Sequence, residues 1–233
     1  MNVIITGASR GLGKAMAEKF AAGGNNLFLS ARNKQGLEKT IDELKSRFAD
    51  IKIEGKAADL GEKKGIIEFG QWLLEKKIDC DILINNAGSF EPGSVYDEPD
   101  GVLEKMIEVN LYSAYYLTRM LLPSMMQRKQ GHIFNICSIA ALQAYKNGGA
   151  YSISKFALLG FSKNLREEMK PYSIKVTAVL PGAAYTDSWK KSGIDPLRIM
   201  EANDIAEIVY VSSKLSPQAC VEDIVVRPQL GDL

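Results

Sequence analysis

The 233-residue chain has one histidine, three cysteines and two tryptophans, and its charges almost cancel. Each shortage excludes something. His132 has no second histidine and no carboxylate at ligand spacing, so no metal site is expected. Cys80, Cys137 and Cys220 are odd in number and widely separated, which suits a reducing cytoplasm better than a disulfide framework. A formal charge of +1 offers no general surface for nucleic acid. No apolar run approaches the ~20 residues of a membrane span. The strand-like "NVIIT" begins directly after Met1, leaving no room for a secretory signal. No Pro/Gly/Ser-rich linker, low-complexity tract or repeat divides the sequence, so one domain over residues 1–233 is expected.

What is present is a regular alternation. "NVIIT", "LFLS", "IKIEG", "DILIN", "HIFNICS", "IKVTAVL" and "DIVVR" are short runs rich in Val, Ile, Leu and Phe, as strands buried on both faces should be. Between them apolar residues recur at helical spacing, as in Leu12, Met16 and Phe20, then Leu37, Ile41 and Leu44. Strand, helix and strand with crossovers of this length predict an α/β fold: a doubly wound parallel sheet of about seven strands with helices on both faces. Cys137 and His132, both in "HIFNICS", read as structural.

A helix predicted over about 102–128 and another after Tyr151 carry apolar residues around much of their circumference. One sheet face cannot cover that much, so a homodimer or homotetramer is expected to bury the excess.

Directly after the first strand comes "TGASRGLGKAMAEKF", with Gly7, Gly11 and Gly13 leading into a helix. Glycines there allow a tight turn and let a pyrophosphate approach the backbone, while the helix N-terminus supplies N–H donors. A Rossmann-type dinucleotide site is expected here. The second strand ends in "LSARNK", where an NAD site would carry an acid. Arg32 stands in its place and Arg10 lies in the glycine loop, two guanidinium groups suited to a 2′-phosphate, so NADP is expected over NAD.

In "YSISK" Tyr151 and Lys155 lie one helical turn apart on the same face. A free tyrosine with a pKa near ~10 is a poor acid–base at neutral pH, and a cation beside it lowers that value, a role predicted for Lys155. Ser138, at the end of its strand, is placed to hydrogen-bond the same reacting oxygen.

Taken together these residues resemble the short-chain dehydrogenase/reductases in their compact form. The resemblance spans nearly the whole chain: "TGASRGLG", "AADL" with Asp59, "NNAG" at 85–88, Asn110 in "EVNL", Ser138 in "NICSIA", Tyr151 with Lys155, and "PGAAYT" with Pro181, Gly182 and Thr186. It implies a catalytic tetrad of Asn110, Ser138, Tyr151 and Lys155, with Lys155 also holding the nicotinamide ribose and Asn110 supporting a water-linked proton path. It implies cofactor contacts from Gly7, Ser9, Arg10, Gly11, Leu12, Gly13, Arg32, Asp59, Leu60, Asn86, Ala87, Gly88, Tyr151, Lys155, Pro181, Gly182 and Thr186. The implied reaction is hydride transfer between NADP(H) and a carbonyl or alcohol.

Substrate choice is expected in the segments around the mouth, from Phe90, Leu142, Gln143, Tyr145, Trp189 and Ile194. Some relatives reduce 3-oxoacyl groups on acyl carrier protein, and Arg128, Lys129 and Lys170 form a candidate basic patch for that partner. The ending "DIVVRPQLGDL" departs from those reductases, whose C-termini are glycine-rich. A nucleotide-sensing protein without catalysis is the other class this fold serves, and it would need the glycine loop but not the tetrad.

Overall fold

The computed structural model describes residues 1–186 and 193–233. In chain order these residues form β1 (Asn2–Thr6), α1 (Gly11–Ala22), β2 (Asn26–Ala31), α2 (Lys34–Arg47), β3 (Ile53–Ala57), α3 (Lys63–Glu75) and β4 (Ile82–Asn85). Then follow α4 (Val102–Ile107), a π-helical turn (Glu108–Tyr112), α5 (Ser113–Arg128), β5 (Gly131–Ile136), α6 (Gly149–Met169) and β6 (Ile174–Pro181). The last elements are β7 (Ala184–Tyr185), β8 (Met200–Glu201), α7 (Ala202–Ser213) and β9 (Asp223–Val226).

Seven strands pair in the order β3-β2-β1-β4-β5-β6-β9, all parallel. The reason lies in β1: Val3 and Ile5 enter one core with α1, α2 and α7, while Ile4 enters the other with α3, α5 and α6. Alternate side chains are thus buried on opposite faces, and the run reads as continuously apolar. Chain order reverses between β1 and β4, which opens a crevice at the carboxyl ends of the strands.

Two features depart from the sequence reading. The helix over 102–128 is not one α-helix: it is broken at Glu108–Tyr112 by a π turn that holds Asn110, and such turns recur at functional sites. A two-stranded ribbon of β7 and β8 stands beside the main sheet, too short to leave a periodic signal.

His132 is structural, as expected. Its ring stacks on Phe134 with centroids 3.9 Å apart, its Nε2 pairs with the Thr177 hydroxyl at 2.8 Å, and burial lowers its pKa to about 3. Among the described residues no group of three or more His, Cys, Asp or Glu side chains is arranged to hold a metal, and no helix is long and apolar enough to cross a membrane.

Candidate active site

The crevice is built from the ends of β1, β4, β5 and β6. Gly7 and Gly11 both have positive φ, +66° and +56°, and shape the turn into α1. A Cβ on Gly13 would collide with the Gly7 carbonyl, so the helix can start this close to the strand only without a side chain there. Asn86 closes the loop from the β4 side: its Nδ2 donates to the carbonyls of Thr6 and Gly7 at 2.9 and 3.1 Å. Thr6 answers in return, its hydroxyl accepting from the N–H groups of Asn86 and Ala87, both at 2.9 Å. Thr186 faces Gly11 across the cradle, and a Cβ on Gly11 would lie 3.3 Å from its methyl. The close approach of bare backbone, at a helix N-terminus, fits a pyrophosphate.

Arg10 is the exposed N-cap residue of α1, with extended backbone. Arg32 follows β2 with its guanidinium 4.0 Å from the Asp59 carboxylate, both side chains exposed. Asp59 also accepts the Gly61 N–H at 3.0 Å, which fixes the "AADL" turn, and Leu60 is buried beside it. Leu12 packs its side chain on the core, so only its backbone belongs to the loop.

The tetrad positions converge. Ser138 stands two residues beyond the end of β5 and Tyr151 in the first turn of α6. The Ser138 hydroxyl accepts the Ala140 N–H at 3.1 Å and acts on the Tyr151 phenol, favouring its ionised form. Lys155 is 6% exposed, donates from Nζ to the Ile136 carbonyl at 2.9 Å and lies 5.8 Å from the centre of the Tyr151 ring. Asn110 uses its amide fully: Oδ1 accepts the Ser89 N–H at 2.9 Å, and Nδ2 donates to the Ser89 carbonyl at 3.1 Å and the Ser154 hydroxyl at 2.9 Å. Gly88 abuts both groups, since a Cβ there would be 2.8 Å from Asn110 Oδ1 and 3.6 Å from Lys155 Nζ.

The electrostatics correct the sequence reading. The Tyr151 pKa is raised, not lowered: burial is the largest influence, Ser138 opposes it and Cys137 adds to it. The same burial lowers Lys155 to about 8 and pushes the Cys137 thiol up to about 11. Desolvation of Tyr151 and Lys155 exceeds the effect of one on the other.

Phe90 sits edge-on to the Tyr151 ring with centroids 4.8 Å apart. Tyr145 is also beside it: its pKa is raised to about 12, first by burial and then by the charge of Tyr151. Leu142 and Gln143 are exposed on the intervening loop. Pro181 ends β6, and Gly182 after it packs near Ile139 and Pro228. Trp189 lies outside the described residues.

Sequence reasoning missed three contributors. Thr6 and Ser154 directly precede Gly7 and Lys155, so motif adjacency was the available signal. Glu98, whose carboxylate meets the Ala150 N–H 52 residues on, has no local signal at all.

Comparison with known proteins gives the class. A family model described as short chain dehydrogenase matches residues 1–197. An uncharacterized oxidoreductase of Bacillus subtilis is 34% identical over 184 residues, covering 79% of this chain and 68% of the relative. Sepiapterin reductase of Chlorobaculum tepidum is 30% identical over 239 residues, 99% of this chain and 97% of its own. An alcohol dehydrogenase from the archaeon Thermococcus sibiricus, solved in complex with 5-hydroxy-NADP, superposes with a TM-score of 0.89 at 27% identity over 98% of this chain and 96% of that one. The chain belongs to the short-chain dehydrogenase/reductase family and is an oxidoreductase.

Proposed function

We propose that this oxidoreductase interconverts a carbonyl and an alcohol using NADP(H), with Tyr151 as acid–base. The observation that carries the reading is the convergence of Ser138, Tyr151 and Lys155 on one point at the strand ends, beside the glycine cradle. A pure nucleotide sensor has no use for that triad.

NADPH, when bound, supplies the hydride. Gly7, Ser9, Gly11 and Gly13 would hold its pyrophosphate, with Asn86, Ala87, Gly88, Pro181, Gly182 and Thr186 towards the nicotinamide and Asp59 and Leu60 towards the adenine. Arg10 and Arg32 favour a 2′-phosphate, and the structural relative carries an NADP derivative. Tyr151 donates its phenolic proton to the carbonyl oxygen, and its raised pKa keeps that proton in place at neutral pH. Ser138 donates a hydrogen bond to the same oxygen. Lys155 stays mostly protonated at pH 7 and stabilises the phenolate that forms. Asn110 holds the Ser89 and Ser154 segments around the pair.

Phe90 and Tyr145 are the side chains we assign to the substrate wall, with Leu142, Gln143, Trp189 and Ile194 towards the rim. A carrier-protein substrate gains nothing from the basic patch. Arg128 is held by Asp79, Asp81 and the Cys80 carbonyl, Lys170 is paired with Glu167, and both precede strand starts, at the end of the sheet away from Ser138. The faces of α4, the π turn, α5 and α6 leave Leu103, Tyr112, Tyr115, Ile153 and Phe156 36–44% exposed, which supports a dimer or tetramer through them.

Oxidation of NADPH should be followed over a panel of ketones, aldehydes, quinones and acyl thioesters, with sepiapterin among the ketones. Tyr151→Phe is expected to reduce turnover by at least ~100-fold. Full turnover in that variant, or a strong preference for NADH, refutes the corresponding part of the reading.

A further inference from the structure

We infer that Glu98 is a positioning residue for Tyr151: its carboxylate caps the catalytic helix from outside and fastens the substrate-side loop to it. The inference rests on the reading of Tyr151 as the acid–base.

The start of α6 lacks a cap of its own. Gly148 is the N-cap residue and Gly149 follows, so neither has a side chain to offer, and the first intrahelical bond runs from the Ser152 N–H to the Gly148 carbonyl at 2.8 Å. The N–H of Ala150, the residue before Tyr151, therefore has no partner within the helix. Glu98, 52 residues earlier in the chain, takes it with both carboxylate oxygens, at 2.9 and 3.1 Å. A charged acceptor at a helix N-terminus is a strong version of this bond.

Gly149 makes the approach possible. Its φ is +34°, and a Cβ there would collide with Glu98 Oε1 and lie 2.6 Å from the Gly93 carbonyl. The two loops are joined again nearby: the Gly93 N–H donates to the Asn147 carbonyl at 3.2 Å, and the Ser94 hydroxyl to Asn147 Oδ1 at 2.9 Å.

As a result the Tyr151 backbone is held from both sides. Glu98 fixes the Gly149–Ala150 peptide one residue ahead of it, and Ser154 Oγ donates to the Tyr151 carbonyl at 2.7 Å while accepting from Asn110. The same loop brings Phe90 edge-on to the Tyr151 ring and is tied at Ser89 to Asn110. Glu98 thus sets both where the phenol stands and where the wall beside it stands.

The test compares Glu98→Ala, Glu98→Gln, Gly149→Ala and Tyr151→Phe, using the panel substrate that the wild type reduces fastest. Glu98→Ala is expected to lower kcat roughly 10- to 100-fold, as misplacement of a catalytic group does, with the Kd for NADPH within about twofold. Glu98→Gln, whose amide oxygen still accepts from Ala150, should recover most of kcat. Gly149→Ala should resemble Glu98→Ala, and the double variant should be no worse than either single, because both break one contact. Amide hydrogen exchange at Ala150, protected in the wild type, should accelerate in Glu98→Ala, a readout independent of substrate. The proposal is overturned if Glu98→Ala retains kcat within twofold while Tyr151→Phe is inactive, or if the glutamine is as impaired as the alanine. Loss of NADPH affinity in step with kcat also overturns it, because the carboxylate would then act on the whole fold. An active Tyr151→Phe defeats the proposed function instead, and this inference with it.

Discussion

His132 shows how far burial, with the Lys175 charge nearby, can move a titration. It is the single histidine of the chain, paired with Thr177 and stacked on Phe134, and its folded pKa of about 3 lies well below the ordinary value of 6.5. The unfolded chain binds a proton below pH 6.5 while the folded one does not until about pH 3. Stability from this group is therefore complete above pH 6.5 and declines as pH falls through that window, by up to about 5 kcal/mol at its lower end. The imidazole resonances, unambiguous in a one-histidine protein, should stay unshifted by NMR down to pH 5. A midpoint near 6.5 in the folded protein would contradict the burial account.

At the scale of elements, β1 and β4 are spliced by one hydroxyl. Thr6 accepts from two successive N–H groups of the segment after β4 and so holds "NNAG" against the glycine loop. Thr6→Val keeps the shape and leaves both donors without that acceptor, at a cost of about 1–3 kcal/mol. Chemical denaturation should show that loss and fluorescence titration a weaker NADPH complex, whereas Thr6→Ser should behave like the wild type. The glycine loop, the proximity of Tyr151 and Lys155 and the seven strands were legible in the sequence because each is written in local spacing: three glycines after a strand, a tyrosine four before a lysine, short apolar runs. The π turn was not, because one extra residue per turn slips the helical period by less than a 27-residue pattern reveals. Nor was the raised pKa of Tyr151, since a lysine one turn away is visible in sequence and the packing that desolvates both is not. Glu98 was illegible for a plainer reason: its partner is 52 residues distant.

For the whole molecule, one group of exposed apolar side chains lies on α5, the π turn before it and α6. Tyr112 and Tyr115 pack with Tyr116, and Tyr115 meets the ring of Phe161, so α5 and α6 present a continuous aromatic face next to Phe156 and Ile153. Phe156→Glu puts a carboxylate into that face. Light scattering after size exclusion is expected to show the wild type as a dimer or tetramer and the variant as a smaller species. A monomeric wild type would remove the oligomer reading.

The final residues bear on how the protein is handled. Arg198 donates to the carbonyls of Leu230, Gly231 and Asp232, Asp232 pairs with Arg227, and a Cβ on Gly182 would lie 3.4 Å from Asp232 Oδ1. Residues 230–232 are therefore clasped beside Gly182, just past the carboxyl end of β6, whereas Met1 precedes β1 at the opposite end of the sheet. An affinity tag or fluorescent fusion joined after Leu233 would leave the chain next to Gly182, where the proposed function puts the nicotinamide. One joined before Met1 would leave that region clear.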